Sequence, residues 1–475
     1  SKRIESMING LFIKLFSMKA DGRFCLFNFR SKAFNCSLPA GRALLTIMKR
    51  TLSSELEKNL NKKVFLQGRV YNLRKMGGIN FLLLQDRDGL VQIVFDKLEE
   101  KVLTGSLVSI TGKVKSEKRA PGGVEVLGEK VEIISSPVEE APIDLSKAEL
   151  KAKLSTLLDN RPITLRHEKV KAIFRVSNTV VRAYAEVMRE MGFTEIKTPK
   201  ILGAASEGGS NFFTIDYFGR KAFLAQSPQF YKQITAGVFE RVFEIGPVFR
   251  AEPHFTTRHV NEYISLDAEI GFIQDHEDVM NILNKAVKYI FSEIKKDNKS
   301  ELELYKVKVP NVPVKIPKIK LADMREIIRK KYKYNIPSDT DIDPKGERLA
   351  GKYAKEKYNS DFLFLTHYPT RKRPFYTMPD EKNPKETKSF DLIYAGVEMV
   401  TGSQRIHDYD MLVANIKKWG LKPKDFKFYL QAFKYAMPPH GGWGMGLERI
   451  VYQLLDLKSI KQAVLFPRDV KRLTP

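Results

Sequence analysis

Five short segments with strand character follow one another in residues 62–135, and they constrain the fold more than any other feature of the chain. The segments cover residues 64–71, 79–84, 90–95, 107–114 and 124–134. Apolar and polar residues alternate within them, and turn residues at Gly89 and Pro121 separate neighbouring segments. Alternation with a period of two predicts strands that bury one face. A run of such short strands predicts a small closed barrel, and the OB-fold is the leading candidate.

A larger domain is expected after the barrel. Residues 167–191 carry apolar side chains at helical spacing, and Gly192 follows them as a helix terminator. The rest of the chain alternates strands and helices without regular βαβ spacing, which predicts an antiparallel sheet with flanking helices in an α+β fold. The predicted organisation is an extension at 1–47, a barrel at 48–140, a hinge at 141–166 and a domain at 167–475 with a Lys-rich insertion near 295–345.

Residues 1–47 differ from the rest and contain both cysteines, Cys25 and Cys36. One interpretation is a targeting segment, because basic residues alternate with Phe and Leu. The other is a stretch upstream of the true start at Met48. We favour the second and expect a poorly structured extension. Neither cysteine has the spacing of a metal ligand, so we expect no disulfide framework and a reducing compartment.

The chain is strongly basic, with a formal net charge of +25 over 475 residues. A charge of this sign favours a polyanionic partner, of which nucleic acid is the commonest. Charge alone leaves open that the lysines only solubilise the protein. The sequence has no apolar run long enough to span a bilayer, so we expect a cytoplasmic protein without a membrane partner.

Residues 249–259 concentrate charged side chains in what reads as strand, loop and strand. Arg250 follows an apolar run, so the base of its side chain should be buried, and a half-buried arginine normally has an anionic partner. Phosphate fits the fork geometry of a guanidinium. A solvated surface hairpin is the alternative interpretation.

Two further clusters point to a nucleotide. Residues 440–448 are glycine-rich and lead into Arg449 at the start of a predicted helix. Glycine allows a backbone to approach a ligand closely, so a nucleotide held between Arg250 and Arg449 is predicted. Asp391 and Glu398 are two carboxylates that suit Mg²⁺ beside a polyphosphate. Spacing alone equally allows two unrelated acidic residues.

These segments resemble the three motifs of class II aminoacyl-tRNA synthetases. Residues 192–201 resemble motif 1, residues 249–269 motif 2 and residues 444–449 motif 3, in the order of the family. The last residues, 465–475, resemble the end of archaeal-type aspartyl enzymes. The resemblance covers roughly residues 50–475. It implies an N-terminal OB-fold that binds the anticodon, an antiparallel catalytic sheet, and charging of tRNA(Asp) with L-aspartate at the expense of ATP.

The amino acid is indicated by residues 225–233, which resemble the aspartyl signature. Asparaginyl relatives lack a lysine at the place of Lys232. An aspartate carboxylate needs cationic partners, here Lys232 and Arg405, whereas an amide would leave Lys232 as an uncompensated buried cation. An asparaginyl enzyme is the nearest rival. A non-catalytic RNA-binding paralogue is another, and the presence of Arg250, Arg258 and Arg449 argues against it.

The resemblance also implies roles for individual residues. Two arginines are expected to be catalytic, Arg250 and Arg449. Aspartate is expected to contact Glu207, Gln229, Lys232, Arg250, Thr401 and Arg405. ATP is expected to contact Arg250, Glu252, Arg258, His259, Glu398, Gly446, Leu447, Glu448 and Arg449. Mg²⁺ is expected at Asp391, Glu398 and Thr401. Thr401 departs from the serine of many relatives, and Pro253 departs from a more usual glutamate.

The RNA contacts follow from the same resemblance. Phe81 and Gln92 occupy positions that stack on and hydrogen-bond an anticodon base in relatives, although Phe81 alone would read as a core residue of its strand. Strict archaeal relatives have other residues near Tyr71 and Pro121, so charging of tRNA(Asn) as well is a hypothesis. Motif 1, with Pro199 at its centre, implies a homodimer.

Overall fold

The computed structural model describes residues 48–98, 101–203, 212–253, 256–337 and 340–475. The chain forms two compact units that divide after Ser136. The extension predicted at 1–47 lies outside the described residues, as do Cys25 and Cys36. In the described part of the chain, no helix combines the length and hydropathy needed to cross a membrane.

The first unit is a closed five-stranded barrel, as the alternating pattern predicts. Its strands are β1 Lys63–Met76, β2 Ile79–Gln85, β3 Leu90–Phe95, β4 Leu107–Ser116 and β5 Val124–Ser135. Their order around the barrel is β1-β2-β3-β5-β4, and pairing of β1 with β4 closes it. Three short 3₁₀ helices accompany the strands at Ser53–Glu55, Glu57–Asn59 and Pro121–Gly123. The inward residues of the strands form one apolar core, which includes Leu82, Ile93, Val108 and Val126.

The second unit consists of a large sheet, a small sheet and eleven α-helices in the described residues. Its strands are β6 Thr194–Glu195, β7 Ile201–Leu202, β8 Thr214–Tyr217, β9 Arg220–Leu224, β10 Arg241–Phe249, β11 Glu262–Gly271, β12 Lys318–Lys320, β13 Phe362–Thr366, β14 Ser389–Tyr394, β15 Val397–Gln404 and β16 His440–Gly446. Its helices are α1 Leu154–Asp159, α2 Arg161–Thr164, α3 Glu168–Glu190, α4 Gln229–Phe239, α5 His276–Asp297, α6 Lys299–Tyr305, α7 Leu321–Tyr332, α8 Pro344–Tyr358, α9 Tyr409–Lys418, α10 Lys427–Lys434 and α11 Leu447–Leu454. Three 3₁₀ helices lie at Thr370–Lys372, Pro423–Phe426 and Ile460–Ala463.

The large sheet has eight strands in the order β12-β13-β14-β15-β16-β11-β10-β6. The six central strands are antiparallel, which confirms the α+β prediction. The edges differ from it, because β6 pairs parallel to β10 and β12 pairs parallel to β13. Each edge strand is only two or three residues long, so the parallel pairings add little to the sheet.

The long helix α3 anchors one face of this sheet. Lys169 donates its backbone N–H to the His167 side chain at the helix start, and Gly192 follows the end with a φ of +79°. The helix buries Val176, Val180 and Tyr184 against the sheet, and the Tyr184 hydroxyl donates to the backbone oxygen of Asp267 at 2.9 Å. This contact fixes the middle of β11, which carries site residues on its other face.

Residues 295–345, predicted as an insertion, contribute to the main sheet. They supply the edge strand β12 and helix α7, whose Leu321, Met324 and Ile328 join an apolar cluster with β13. Helix α8 follows and packs into the same cluster through Ala350 and Ala354. The described chain therefore uses this region to extend the sheet beyond β13.

Candidate active site

A cavity of about 360 Å³ opens on the second unit, between the central strands and the start of α11. Twelve predicted site residues line it: Gln229, Lys232, Arg250, Glu252, Arg258, His259, Glu398, Thr401, Arg405, Gly446, Glu448 and Arg449. Asp391 and Leu447 are buried beside it without lining it. Glu207 lies outside the described residues. Segments far apart in the sequence thus converge where the motifs predict a site.

Lys232 lies at one end of the cavity with 2% of its surface exposed. It is in the first turns of α4, and its Nζ donates to Asp267 Oδ1 at 2.8 Å and to the Trp443 backbone oxygen at 2.9 Å. Glu269 Oε2 lies 3.6 Å from the same nitrogen. The expectation that Lys232 lacks an anionic partner without a substrate carboxylate is therefore wrong, because β11 supplies two carboxylates.

Arg405 is paired in the same way. Its Nε and Nη2 donate to the two carboxylate oxygens of Glu269 at 2.9 and 3.3 Å, and its Nη1 donates to Ser403 Oγ at 2.6 Å. Two cations thus meet two carboxylates, so this end of the cavity is electrically balanced. Sequence reasoning missed Asp267 and Glu269, although acids at alternate positions of a mainly apolar strand are the signal for a charged face.

Unused hydrogen-bond groups remain at this end. Among the described residues, the Gln229 Nε2 donor and the Asp267 Oδ2 acceptor are both buried without a hydrogen-bond partner. The Lys232 ammonium carries three N–H groups, of which Asp267 and Trp443 accept two. A lysine, an arginine and an unused amide donor at one buried surface favour a ligand that brings a charged acceptor, such as a carboxylate.

The glycines of strand β16 were predicted to let a ligand approach the backbone, but at least one of them makes room for protein atoms instead. A Cβ on Gly442 would lie 2.0 Å from the Ala268 oxygen and 2.2 Å from Glu269 Oε2. This glycine therefore clears protein atoms rather than a ligand. Gly444 lines the cavity, and its Cβ would approach Asp267 Oδ1 only to 3.4 Å. The close approach of a ligand stays a prediction at Gly444, whereas neighbouring protein atoms already account for the glycine at position 442.

The other end of the cavity is rich in arginine. Arg250 lies at the end of β10, 5.6 Å from the Tyr263 ring centre, and its Nη1 is 3.8 Å from Glu252 Oε1. Glu252 Oε2 is also 3.4 Å from His259 Nε2. Glu252 thus lies between two of the groups predicted to contact ATP, on the loop that the sequence predicts.

Each of the two other arginines has a carboxylate partner. Arg258 Nη1 is 3.5 Å from Glu347 Oε2, and Arg449 Nη1 is 3.0 Å from Glu398 Oε1. Glu347 comes from α8 and was not predicted. Burial, together with the nearby Glu398 carboxylate, raises the pKa of Glu347 to about 7. For Glu398, burial is outweighed by Arg449 and Arg373, which lower its pKa.

Arg373 is a second residue that the sequence did not reveal. Its Nη2 donates to Asp391 Oδ2 at 2.7 Å and its Nη1 to Thr401 Oγ1 at 2.8 Å, so it bridges the hairpin of β14 and β15. Burial and the Glu398 carboxylate raise the pKa of Asp391 to about 6, against the opposing effect of Arg373. Asp391 Oδ1 is buried and accepts no hydrogen bond from the described residues.

This arrangement fits a cation that binds together with a ligand. The described residues contain no group of three or more His, Cys, Asp or Glu side chains suited to hold a metal alone. Mg²⁺ usually takes one or two carboxylates and completes its shell with substrate phosphates and water. The unused oxygen of Asp391 and the carboxylate of Glu398 meet that requirement.

Glu448 and Leu447 follow the strand at the start of α11. The Glu448 side chain accepts the Ile264 backbone N–H at 3.1 and 3.2 Å, and burial raises its pKa to about 7. Leu447 belongs to the main apolar core. Together they fix β11 to α11 and so hold Arg449 at the mouth of the cavity.

The barrel carries its predicted RNA residues on the outside. Phe81 is half-buried and alternates with the core residues Leu82 and Leu84, so the interpretation of Phe81 as a core residue is wrong. Gln92 lies opposite Leu83 on the same outer face and donates to Glu125. Tyr71 is half-buried beside a bulge in β1, and Pro121 is exposed in the turn before β5.

Both units match known families. Residues 153–470 match the family described as class II tRNA synthetases (D, K and N), and residues 64–134 match the family described as OB-fold nucleic acid binding domain. An aspartate–tRNA(Asp/Asn) ligase of Deinococcus radiodurans is 45% identical over 433 residues, which cover 90% of this chain and 99% of that protein. An aspartate–tRNA(Asp) ligase of Thermococcus kodakarensis is 43% identical over 434 residues, which cover 89% of this chain and 99% of that protein.

Solved structures give the same placement. The asparaginyl-tRNA synthetase of Pyrococcus horikoshii in complex with asparaginyl-adenylate has a TM-score of 0.84 and 32% identity, covering 90% of this chain and 100% of that one. The aspartyl-tRNA synthetase of Entamoeba histolytica has a TM-score of 0.80 and 29% identity, covering 97% and 99%. The similarity extends over both units of the chain.

Proposed function

The chain belongs to the class II tRNA synthetases of the D, K and N group, and we propose that it is an aspartate–tRNA ligase. It activates L-aspartate with ATP and transfers the aspartyl group to the 3′ end of tRNA(Asp). The observation that carries the choice of amino acid is the buried pair Lys232 and Arg405 at the end of the cavity, with an unused donor on Gln229.

The chemistry of these donors separates aspartate from asparagine. A carboxylate only accepts hydrogen bonds, so it can satisfy the third N–H of Lys232 and the Nε2 group of Gln229. The amide oxygen of asparagine carries no charge, and hydrogen bonds between neutral groups contribute about 0.5–1.5 kcal/mol against about 1.5–3 kcal/mol for hydrogen bonds to charged groups.

ATP fits the arginine-rich end. In the proposal, Arg250 bridges the amino acid carboxylate and the α-phosphate, while Arg258 and His259 hold the bent triphosphate. Arg449 stacks on the adenine, and Glu252 reads its edge. Glu398, Gly446, Leu447 and Glu448 complete the adenine and phosphate surface. The support is that all but Leu447 line one cavity. Phosphate would replace Glu347 and Glu398 as the partners of Arg258 and Arg449, and a guanidinium binds either anion through the same fork.

Mg²⁺ would be held by Asp391, Glu398 and Thr401 together with the phosphates. When bound, it would neutralise charge on the phosphate oxygens. Arg373 now donates to both Asp391 and Thr401. In the proposal it keeps the Thr401 hydroxyl and the Asp391 carboxylate oriented toward the site.

The reaction demands positioning more than proton transfer. The aspartate carboxylate attacks the α-phosphorus in line and pyrophosphate leaves; the terminal ribose hydroxyl of the tRNA then attacks the mixed anhydride and AMP leaves. Arg250 and Arg449 stabilise charge that develops on the phosphate oxygens. Each guanidinium already has a carboxylate partner, Glu252 for Arg250 and Glu398 for Arg449. In the proposal these carboxylates hold the guanidinium groups in place before ATP binds, and the phosphates then replace them as partners.

The tRNA partner is proposed from the first unit. Phe81 presents an aromatic face outside the barrel core, which suits stacking on an unpaired anticodon base, and Gln92 lies on the same face. We extend the proposal to tRNA(Asn) on account of Tyr71 and Pro121; relatives named for both tRNAs and relatives named for tRNA(Asp) alone match at similar identity. The proposal includes a cytoplasmic homodimer, with the exposed Pro199 in its interface.

Arg250→Ala tests the catalytic part of the proposal. It should abolish aspartate-dependent pyrophosphate exchange while leaving the thermal unfolding of the protein nearly unchanged, because 38% of the Arg250 side chain is exposed. Exchange at the wild-type rate in this variant would contradict the assignment. Charging of purified tRNA(Asn) with labelled aspartate tests the wider tRNA range, and no charging would restrict the enzyme to tRNA(Asp).

A further inference from the structure

A second cavity, of about 1230 Å³, lies in the same unit as the active-site cavity. It is bounded by helix α7, the segments that follow β13 and precede β14, and the end of α9. Among the described residues, none lines both cavities. Its volume exceeds the range of roughly 300–1,000 Å³ in which single small molecules usually bind, which favours a longer ligand.

The lining of this second cavity is cationic. Five basic side chains line it, against two acidic ones, Glu326 and Glu386. Arg329 is paired with Glu326 on the same helix at 3.2 Å. Three other cations are exposed and form no ion pair with any residue that the structure describes: Arg371, Lys385 and Lys418. They come from three separate segments, so their convergence is a property of the fold rather than of one charge run.

An aromatic side chain accompanies these cations. Trp419 follows helix α9 directly, is half-buried, and lines the cavity beside Lys418. Part of its ring packs against the apolar cluster around Leu412 and Ile416, which holds the ring in place. Cations that track a backbone, with an aromatic surface among them, are the combination that binds single strands of RNA.

The position of the cavity adds a third observation. Arg371 lines the second cavity, whereas the next two residues, Lys372 and Arg373, line the active-site cavity. Arg373 is tied there to Asp391 and Thr401. One short segment thus forms part of the wall of both cavities. A strand that ends in the active site would have its preceding phosphates close to Arg371.

We propose that the second cavity binds the sugar–phosphate backbone of the RNA whose 3′ end is charged, through Arg371, Lys385 and Lys418. The inference rests on the proposed function, since it assumes an RNA substrate in the neighbouring cavity. Phosphate contacts position the strand without reading its sequence. The predicted effect is therefore on tRNA binding and its salt dependence, with no effect on amino acid activation.

The test is a triple variant in which Arg371, Lys385 and Lys418 are each replaced by glutamine. The matched control replaces three exposed lysines of helix α5, which line neither cavity: Lys285, Lys288 and Lys295. The dissociation constant of a labelled tRNA(Asp) transcript is measured over a range of salt concentrations. Aspartate-dependent pyrophosphate exchange without tRNA is measured on the same preparations.

Three lost phosphate contacts should lower the slope of log Kd against log salt by about two, at about 0.7 per contact with a single strand. The dissociation constant at 0.1 M salt should rise about tenfold or more, with exchange and the control triple unchanged. An unchanged slope with normal exchange would overturn the inference, and so would equal losses in both triples. If the triple variant fails to fold, Lys385→Gln with Lys418→Gln should still lower the slope by about 1.4. Absence of exchange in the wild-type protein would instead refute the proposed function.

Discussion

Replacement of Lys232 by methionine should destabilise the second unit and abolish aspartate activation. Lys232 is 2% exposed, and its Nζ is 2.8 Å from Asp267 Oδ1 and 3.6 Å from Glu269 Oε2. Methionine has a similar length but no charge, so Asp267 would be left buried without its cation. Removing one partner of a buried ion pair typically costs about 3–5 kcal/mol in the free energy of unfolding.

The assay can follow the second unit alone. The chain has two tryptophans, Trp419 and Trp443, and both lie in this unit. Tryptophan fluorescence during urea unfolding therefore reports the stability of the unit that contains the site. The variant should unfold at lower urea, with a free energy of unfolding about 3–5 kcal/mol below the wild type.

A double variant separates the structural role of Lys232 from its proposed role toward aspartate. Lys232→Met combined with Asp267→Asn removes both members of the closest pair, so no buried carboxylate is left at 2.8 Å from a missing cation. Stability should recover by about 2 kcal/mol relative to the single variant, because the unpaired buried charge is gone. Aspartate-dependent exchange should stay absent. A single variant within 1 kcal/mol of the wild type would refute the reasoning about charge balance.

Three further predictions follow from the same contacts. Gly442→Ala should destabilise the second unit by about 3 kcal/mol, because its Cβ would meet Ala268 O at 2.0 Å, whereas Gly444→Ala should cost less than about 1 kcal/mol in the same urea experiment. Burial raises the folded-state pKa of Glu448 from 4.5 to about 7, so its contribution to the free energy of unfolding is complete below pH 4.5 and is lost as the pH rises through 7. In urea unfolding at pH 4.5 and pH 7.5, Glu448→Gln should therefore reduce the loss of stability between the two pH values by up to about 3 kcal/mol. Phe81→Ala should leave barrel unfolding nearly unchanged and weaken tRNA(Asp) binding by about 1–3 kcal/mol, measured by titration with a labelled transcript.

The barrel could be predicted from sequence because the pattern that defines each strand lies within a few neighbouring residues. Strands that bury one face are recognised by the alternation of apolar and polar residues, and the turns between them are recognised by glycine and proline. The observed strands agree with the predicted segments to within a few residues, apart from a longer first strand, Lys63–Met76. The parallel edges of the large sheet could not be predicted, since a strand of two or three residues leaves no periodic pattern.

The motifs predicted residues that converge at one cavity, but they did not predict the residues that pair with them across the fold. Lys232 and Arg405 were found from their segments, but their partners Asp267 and Glu269 lie on a strand that reads as mainly apolar. Arg373 lines the cavity and Glu347 pairs with Arg258, and both come from segments with no motif. Their roles depend on which strands and helices become neighbours, and that information is absent from any local stretch of sequence.

The central claim is that the cavity selects a carboxylate over an amide. The most direct measurement is pyrophosphate exchange on the wild-type protein with ATP, using aspartate and asparagine in parallel under identical conditions. Our account predicts rapid exchange with aspartate and at least about a tenfold lower kcat/KM with asparagine, since a hydrogen bond to a charged group contributes about 1.5–3 kcal/mol and one between neutral groups about 0.5–1.5 kcal/mol. Equal exchange with the two amino acids, or faster exchange with asparagine, would contradict it.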